Sequence, residues 1–119
     1  MYYAVARLEF LVPGSRSLKE KRAVLNRLKA RLQERFHVSV AEVDFQDLWQ
    51  RAALGVAVVV SEISSGENAL AAIRREAESD PRVQILELRT HVARLGDEEC
   101  RVRDESGGIS PADSGGFPA

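Results

Sequence analysis

The hydrophobic pattern of this 119-residue chain predicts an α+β fold with the element order β-α-β-β-α-β. Three observations lead to this prediction: a strict two-residue alternation at the start, two segments with apolar residues at helical spacing, and later runs rich in β-branched residues. From residue 96 onward, glycine, serine, proline and acidic residues replace this pattern. We therefore expect one folded domain over residues 1–95 and a disordered acidic tail over residues 96–119.

The first strand and the first helix are the most clearly marked elements. Every second residue between positions 2 and 12 is apolar, which is the period of a half-buried strand. A proline and a glycine then end the strand, and Ser17 with Glu20 three positions later forms a capping-box signature that starts a helix. The apolar stripe of this helix consists of Leu18, Leu25, Leu28, Leu32 and Phe36.

The rest of the domain is predicted to contain three strands and one helix. Ser64 with Glu67 repeats the capping-box signature and predicts the start of the second helix, which Asp80 and Pro81 end. The strands are predicted over residues 37–45, 53–62 and 83–94. This order corresponds to the ferredoxin-like arrangement, in which two helices cover one face of a four-stranded antiparallel sheet. Right-handed crossovers then place the first and third strands at the centre.

The uncovered face of that sheet is predicted to combine charged and small apolar residues. Arg7 and Glu9 of the first strand should lie beside Glu87, Arg89 and His91 of the fourth, where cross-strand ion pairs account for the charges. Small apolar side chains at the centre of an open sheet are suited to close self-association. We therefore expect a homo-oligomer formed through Tyr3, Val5, Ala57 and Val59.

Positive charge is concentrated in the first helix and its start. Residues 15–36 contain eight basic and two acidic residues, a net charge of +6, whereas the other 97 residues sum to −7. A helix with this charge is suited to contact RNA phosphates. A solvated, highly soluble helix and a surface for an acidic protein have the same composition, so both alternatives stay open. The predicted anion- or RNA-binding residues are Arg16, Lys19, Lys21, Arg22, Arg27 and Lys29.

Lys21 differs from the other basic residues because its helical position lies inside the apolar stripe. A buried ammonium is costly unless it is paired. One interpretation is that it emerges near the helix start and forms an anion site with Arg16, Lys19 and Arg22. The other is that it pairs with a nearby carboxylate. The sequence leaves both open.

The polar turn between the second and third strands contains Trp49, the only tryptophan. An indole in such a turn packs onto its own hairpin, anchors a partner or stacks on a base, with Arg51 beside it. Asp44 and Asp47 lack the third ligand that a metal site requires.

Other classes of function find little support in the chain. It has no glycine-rich phosphate loop, no metal-ligand spacing and no histidine beside a nucleophile, so we expect no catalytic residue, metal or cofactor. The remaining enzymatic alternative is a small acylphosphatase-like enzyme that uses Arg16, by fold analogy alone. A single cysteine, Cys100, and the lack of a long apolar segment favour a cytoplasmic protein without membrane contact.

Three stretches carry a resemblance to a known family: "SLKEKRAVLNRLKARL", "VSVAEVDFQDLWQRAALGVAVVV" and "ELRTHVAR". Together they resemble the YlxP-like family, a bacterial domain of unknown function, over residues 1–94. The resemblance implies the ferredoxin-like fold and a genomic association with translation and ribosome-maturation genes, and it supplies no catalytic residues. The sequence thus predicts a non-catalytic protein associated with RNA or a ribosomal particle. The alternative is a protein-interaction or oligomerisation module without RNA contact.

Overall fold

The computed structural model describes residues 1–96 and contains the predicted elements in the predicted order. They are β1 (Tyr2–Leu11), α1 (Leu18–Phe36), β2 (Ser39–Asp44), β3 (Arg51–Val60), α2 (Ile63–Glu78) and β4 (Gln84–Arg94). The strands form one antiparallel sheet in the order β2-β3-β1-β4. The predicted ferredoxin-like fold is therefore confirmed. The predicted disorder of the tail was assigned to residues 96–119, and residues 97–119 lie outside the described part.

The core lies between the two helices and the inner face of the sheet. Ala4, Leu8 and Phe10 of β1 are fully buried there, as the alternating pattern predicts. The helices contribute Leu25, Leu28, Leu32, Leu70, Ile73 and Ala77. Each fully buried leucine or isoleucine stabilises the fold by about 1.5–3 kcal/mol. Among residues 1–96, neither helix combines the length and apolarity that crossing a bilayer requires.

The two helices begin in different ways. The Ser17 hydroxyl accepts a hydrogen bond from the Glu20 backbone N–H at 3.1 Å, so Ser17 caps α1 as predicted. The prediction that Ser64 starts α2 is wrong, because α2 begins at Ile63 and Ser64 lies inside it. Gly66 lies in this first turn, and a Cβ there would lie 3.2 Å from the Ala4 Cβ, so the turn packs directly on the sheet.

On the open face of the sheet, the charges of β1 and β4 are not arranged as expected. The register places Arg7 opposite Arg89 and Glu9 opposite Glu87, so residues of like charge face each other. Arg7 instead bonds to Glu9 on its own strand and to Asp44, each at 3.1 Å. The expectation of ion pairs between β1 and β4 is therefore corrected: the pairs of β1 are directed toward β2 and β3.

Candidate functional site

Lys21 lies in the interior of the protein, with no solvent-exposed surface. Its Nζ donates hydrogen bonds to the carbonyl oxygens of Phe45 at 2.7 Å and Arg51 at 3.2 Å. Glu42 Oε2 lies 3.3 Å from the same nitrogen and supplies the balancing charge. The ammonium is thus paired within the fold, and the prediction that Lys21 is an anion or RNA ligand is corrected.

The contacts of Lys21 connect α1 to the turn that joins β2 and β3. Phe45 begins this turn with φ 60°, a left-handed backbone conformation that bulky residues rarely adopt. Its carbonyl faces Lys21, while its ring lies beneath the Arg51 guanidinium, 4.6 Å from ring centre to Cζ. The start of the turn is therefore held by a buried cation on one side and a stacked cation on the other.

Trp49 lies at the surface of the turn: it is 56% exposed, and the neighbouring Leu48 is 46% exposed. The next residue, Gln50, donates its side-chain N–H to the Ser15 carbonyl at 3.0 Å. The Gln50 carbonyl also accepts a hydrogen bond from the Val12 N–H at 2.8 Å. The exposed indole therefore projects from a turn that is fixed beside the loop before α1, where Arg16 is exposed.

Arg51, predicted with Trp49 as a partner or stacking residue, is bound within the protein. Its guanidinium forms an ion pair with Glu9, which is only 7% exposed, and stacks on Phe45. Hydrogen bonds from Arg51, followed by those from Arg7, lower the pKa of Glu9 below its usual range. Arg51 thus supports the turn, and Trp49 is the member of the pair that faces solvent.

The basic residues of the α1 segment fall into two groups. Three are bonded to carboxylates: Lys21 to Glu42, Arg31 to Glu76 and Asp80, and Arg35 to Glu76. The other five form no ion pair with any residue between 1 and 96, and we call them the free basic group: Arg16, Lys19, Arg22, Arg27 and Lys29. These five are the predicted anion-binding residues without Lys21.

Most of the free basic group lies on one side of α1. At 100° per residue, Lys19, Arg22 and Lys29 fall within an arc of about 80°. Arg31 and Arg35 occupy the opposite shoulder, where they reach Glu76 of α2. These three cations therefore face away from α2, whereas Arg27 lies nearer to Arg31 on the helix circumference. Arg16, before the helix, extends the basic surface toward the turn that carries Trp49.

Comparison with known proteins places the chain in a family. The family model described as "Protein of unknown function (DUF503)" matches residues 3–90. "Uncharacterized protein YlxP" from Bacillus subtilis (strain 168) is 39% identical over 85 residues, covering 71% of this chain and 92% of the relative. The chain belongs to the DUF503 family. The match confirms the YlxP-like resemblance, and the DUF503 domain here spans both helices and most of the sheet.

Neither description names an activity for the DUF503 domain. The residues that sequence reasoning missed are Glu42, Phe45 and Gln50, which bond to Lys21 or fix the turn. Glu42 left a usable signal, since it is two residues from Val40 and shares its inward strand face. Phe45 and Gln50 left none, because backbone carbonyl contacts and amide contacts have no residue pattern.

Proposed function

We propose that this protein binds single-stranded segments of RNA, with Trp49 stacking on a base and the free basic group contacting phosphates. The observation that carries the proposal is the Gln50 to Ser15 hydrogen bond, because it fixes an exposed tryptophan next to the start of the basic helix. Proteins that hold single strands combine an aromatic platform with a positively charged track. The proposal extends to exposed loops of structured RNA, including those of a ribosomal particle.

The electrostatic part of the proposal depends on cations that the fold leaves unbonded. Lys19, Arg22 and Lys29 have no carboxylate partner within residues 1–96, so binding a phosphate does not require breaking an internal ion pair. Five phosphate contacts to a single strand correspond to a slope of about −3.5 for log affinity against log salt. Binding should therefore weaken steeply as salt rises.

The stacking part depends on Trp49. An indole that is 56% exposed has free ring area for a base, and stacking of this kind contributes about 1–3 kcal/mol per base. The turn beneath it is fixed by Lys21, Arg51 and Gln50, so little order has to be created on binding. The translation-related gene association that the YlxP-like resemblance implies favours RNA as the nucleic acid.

The test is fluorescence anisotropy with a short, unstructured, dye-labelled RNA over a series of salt concentrations. We expect Arg22→Glu/Lys29→Glu to weaken binding by about tenfold or more at low salt and to flatten the salt dependence. The matched control is Arg75→Glu/Arg94→Glu, which changes net charge equally at exposed residues away from α1 that form no ion pair within residues 1–96. Equal losses in both double variants would reduce the effect to net charge and contradict the proposal.

Trp49 provides a second, independent readout because it is the only tryptophan. Stacking should quench its fluorescence as RNA is added, and Trp49→Ala should weaken binding by about 1–3 kcal/mol with the salt slope unchanged. Absence of salt-dependent RNA binding by the unmodified protein would overturn the proposal.

The exposed pair of Leu48 and Trp49 also favours a second candidate, a protein-interaction module without RNA contact. For that function, Trp49→Ala should abolish capture of a protein partner, whereas Arg22→Glu/Lys29→Glu should leave capture unchanged. Trp49→Ala and Arg22→Glu/Lys29→Glu together distinguish the two candidates, because only RNA binding requires both Trp49 and the free basic group.

A further inference from the structure

The two edges of the sheet differ in length and regularity. β2 forms one edge with six residues and a register shift between Glu42 and Asp44. β4 forms the other edge with eleven residues, and its register with β1 is regular from Glu87 to Arg94. Within residues 1–96 no further strand lies beyond β4. A long, regular edge of this kind is a template for pairing with another strand.

Alternate residues of β4 direct their backbone groups away from β1. The Leu95 N–H donates to the Met1 carbonyl at 3.2 Å, which makes these two residues a hydrogen-bonded pair. Along an antiparallel ladder such pairs alternate with pairs whose N–H and C=O groups point outward. Counting back along the register places Leu88, Thr90 and Val92 at the outward-pointing positions. Their side chains lie on the same face of the sheet as the buried residues of β1.

The exposed side of α2 along this edge has a self-complementary charge pattern. A groove of about 410 Å³ separates it from β4, and Glu67, Ala71 and Arg74 line the groove on the helix side. At 100° per residue these three positions lie within an arc of about 60°. Glu67 forms no ion pair within residues 1–96, and Arg74 pairs with Glu78 at the surface of the same helix. An antiparallel copy of α2 would therefore place an arginine beside each Glu67.

We propose that a second copy of this chain pairs its β4 antiparallel to β4, around a two-fold axis perpendicular to the sheet at Thr90. The two sheets then form one eight-stranded sheet with all four helices on the same face. Thr90 lies opposite the other copy's Thr90, and Leu88 lies opposite the other copy's Val92, so their outward N–H and C=O groups bond across the axis. On the open face Arg89 lies opposite the other copy's His91. Each contact between different residues occurs twice, because a two-fold interface uses the same patch on both subunits.

The helix and the strand place this axis independently at the same point. A Cβ at Gly66 would lie 3.4 Å from the Val92 Cγ1, and α2 runs antiparallel to β4, which follows it after a short turn. The midpoint of Glu67 and Arg74 lies about 6.8 Å along the helix from Gly66, at about 1.5 Å per residue. Thr90 lies about 6.6 Å along the strand from Val92, at about 3.3 Å per residue. An axis at Thr90 therefore passes the midpoint of Glu67 and Arg74, and it places each Glu67 across from the other copy's Arg74.

The spacing of the two copies of α2 also favours a second copy as the partner. α2 packs mainly on β1 and β4, so its axis lies about one strand spacing, about 4.8 Å, from a two-fold axis just outside β4. The two helices are then about 10 Å apart, which is a normal packing distance. The small side chain of Ala71 lies near the axis, where the helices are closest. A different protein would have to supply the strand, the helix spacing and the charges separately.

The area of the edge sets the expected strength. The 16 residues of α2 give a strip about 24 Å long, and the sheet and helix layers together are about 20 Å high, so roughly 500 Å² is covered per copy. The total of roughly 1,000 Å² is at the lower limit of specific interfaces. We therefore expect a dimer that dissociates on dilution. The free basic group lies on α1, which packs toward β2 at the other edge, so this inference does not depend on the proposed function.

Sedimentation equilibrium over a wide concentration range tests the dimer. The unmodified chain should approach twice its 13.2 kDa mass at high concentration. Ala71→Glu should remain monomeric, because it places two carboxylates near the axis at a position that is exposed in the single chain and therefore tolerant of the change. The matched control, Ala57→Glu, makes the same substitution at an exposed residue of β3 on the open face and should dimerise normally. A monomeric unmodified chain, full dimerisation of Ala71→Glu, or loss of the dimer in Ala57→Glu would overturn the proposal.

A charge exchange tests the arrangement of the two helices. Glu67→Arg and Arg74→Glu should each raise the dissociation constant of the dimer about tenfold, because each places like charges across the axis. The combination Glu67→Arg/Arg74→Glu should dimerise more strongly than either single variant, as the opposite signs are restored. A double variant no stronger than the weaker single one would exclude the proposed antiparallel pairing of α2.

Hydrogen exchange of single backbone amides, measured by nuclear magnetic resonance, tests the pairing of the strands. At low concentration the amides of Leu88, Thr90 and Val92 should exchange rapidly, whereas those of Arg89 and His91, which bond to β1, should exchange slowly. At concentrations that favour the dimer, exchange at the first three should slow by about tenfold or more. A dimer in which the Thr90 amide still exchanges rapidly would overturn the proposal.

Discussion

The two groups of basic residues in the α1 segment are alike in the sequence and opposite in the structure. Arg31 and Arg35 are bonded to carboxylates of α2 or its C-terminal turn, and Lys21 is bonded inside the fold. Arg22 and Lys29, at similar spacing on the same helix, have no such partner within residues 1–96. The net charge of a segment is therefore a poor measure of the charge available to a ligand, because three of the eight cations are already neutralised.

The largest expected effect comes from the bonded group. Lys21→Met keeps the length of the side chain but leaves Glu42 Oε2, which has no hydrogen bond of its own from any described residue, without its balancing charge. Removing one partner of a buried ion pair costs about 3–5 kcal/mol. We expect a decrease of that size in the free energy of unfolding, measured by urea denaturation followed by circular dichroism.

Two further variants make this test specific. Lys19→Met, at an exposed position two residues away, should change the free energy of unfolding by less than about 0.5 kcal/mol. Lys21→Met/Glu42→Leu should recover part of the loss because no unpaired carboxylate remains. If Lys21→Met were as stable as Lys19→Met, Lys21 would not belong to the bonded group.

A smaller effect on the free energy of unfolding is expected at Asp80, whose carboxylate pairs with Arg31. Asp80 is 3% exposed, and burial raises its pKa, but hydrogen bonds from Arg82 and Arg31 outweigh burial and bring the pKa to about 2. A carboxyl whose pKa is depressed by folding stabilises the protein above its unfolded pKa of about 3.9, and that stability is lost as pH falls toward the folded value. Asp80→Asn should therefore cost about 1.5–3 kcal/mol at neutral pH.

The pH dependence separates this carboxylate from the others. The difference in unfolding free energy between the unmodified protein and Asp80→Asn should shrink as pH falls from about 4 toward 2. Glu34→Gln, at an exposed residue of α1 that forms no ion pair within the described chain, should show no such convergence. A difference that stays constant over this pH range would contradict the assignment of Asp80.

The smallest effect is the most direct comparison of the two groups. Arg31→Ala should lower the free energy of unfolding by about 1 kcal/mol, because it removes pairs with Glu76 and Asp80, and it should leave RNA binding unchanged. Arg22→Ala should do the reverse, with a stability change below about 0.5 kcal/mol and weaker RNA binding. Urea denaturation measures the stability of both variants, and fluorescence anisotropy measures their RNA affinity. If Arg31→Ala and Arg22→Ala changed stability and RNA affinity alike, the distinction between bonded and free basic residues would be wrong.

The fold was predictable because its signals are local. The alternation of β1 and the apolar stripe of α1 each repeat several times along the element. The cap of α1 likewise involves only Ser17 and Glu20, which are three residues apart. Ser64 shows where local signals fail: its capping-box pattern is present, but α2 begins one residue before it, in a first turn that packs on the sheet at Gly66. Contacts between distant segments of this kind leave no local sequence pattern.

The site was predictable only as a set of candidates. The helical wheel placed Lys21 inward, yet its partners Glu42, Phe45 and Arg51 are contributed by distant chain segments that only the folded sheet brings near α1. The separation of free from bonded arginines likewise requires the position of α2. For Trp49, a residue pattern describes the polarity of a turn but not which of its side chains faces solvent.

The hydrogen bonds of Lys21 have a mechanical consequence. Phe45 and Arg51 are the first residue of the β2–β3 turn and the first residue after it, and the same ammonium binds the carbonyl of each. A single atom of α1 thus bonds to both ends of the turn that carries Trp49 and ties this turn to the start of the helix. One ammonium therefore braces the aromatic surface against the basic one.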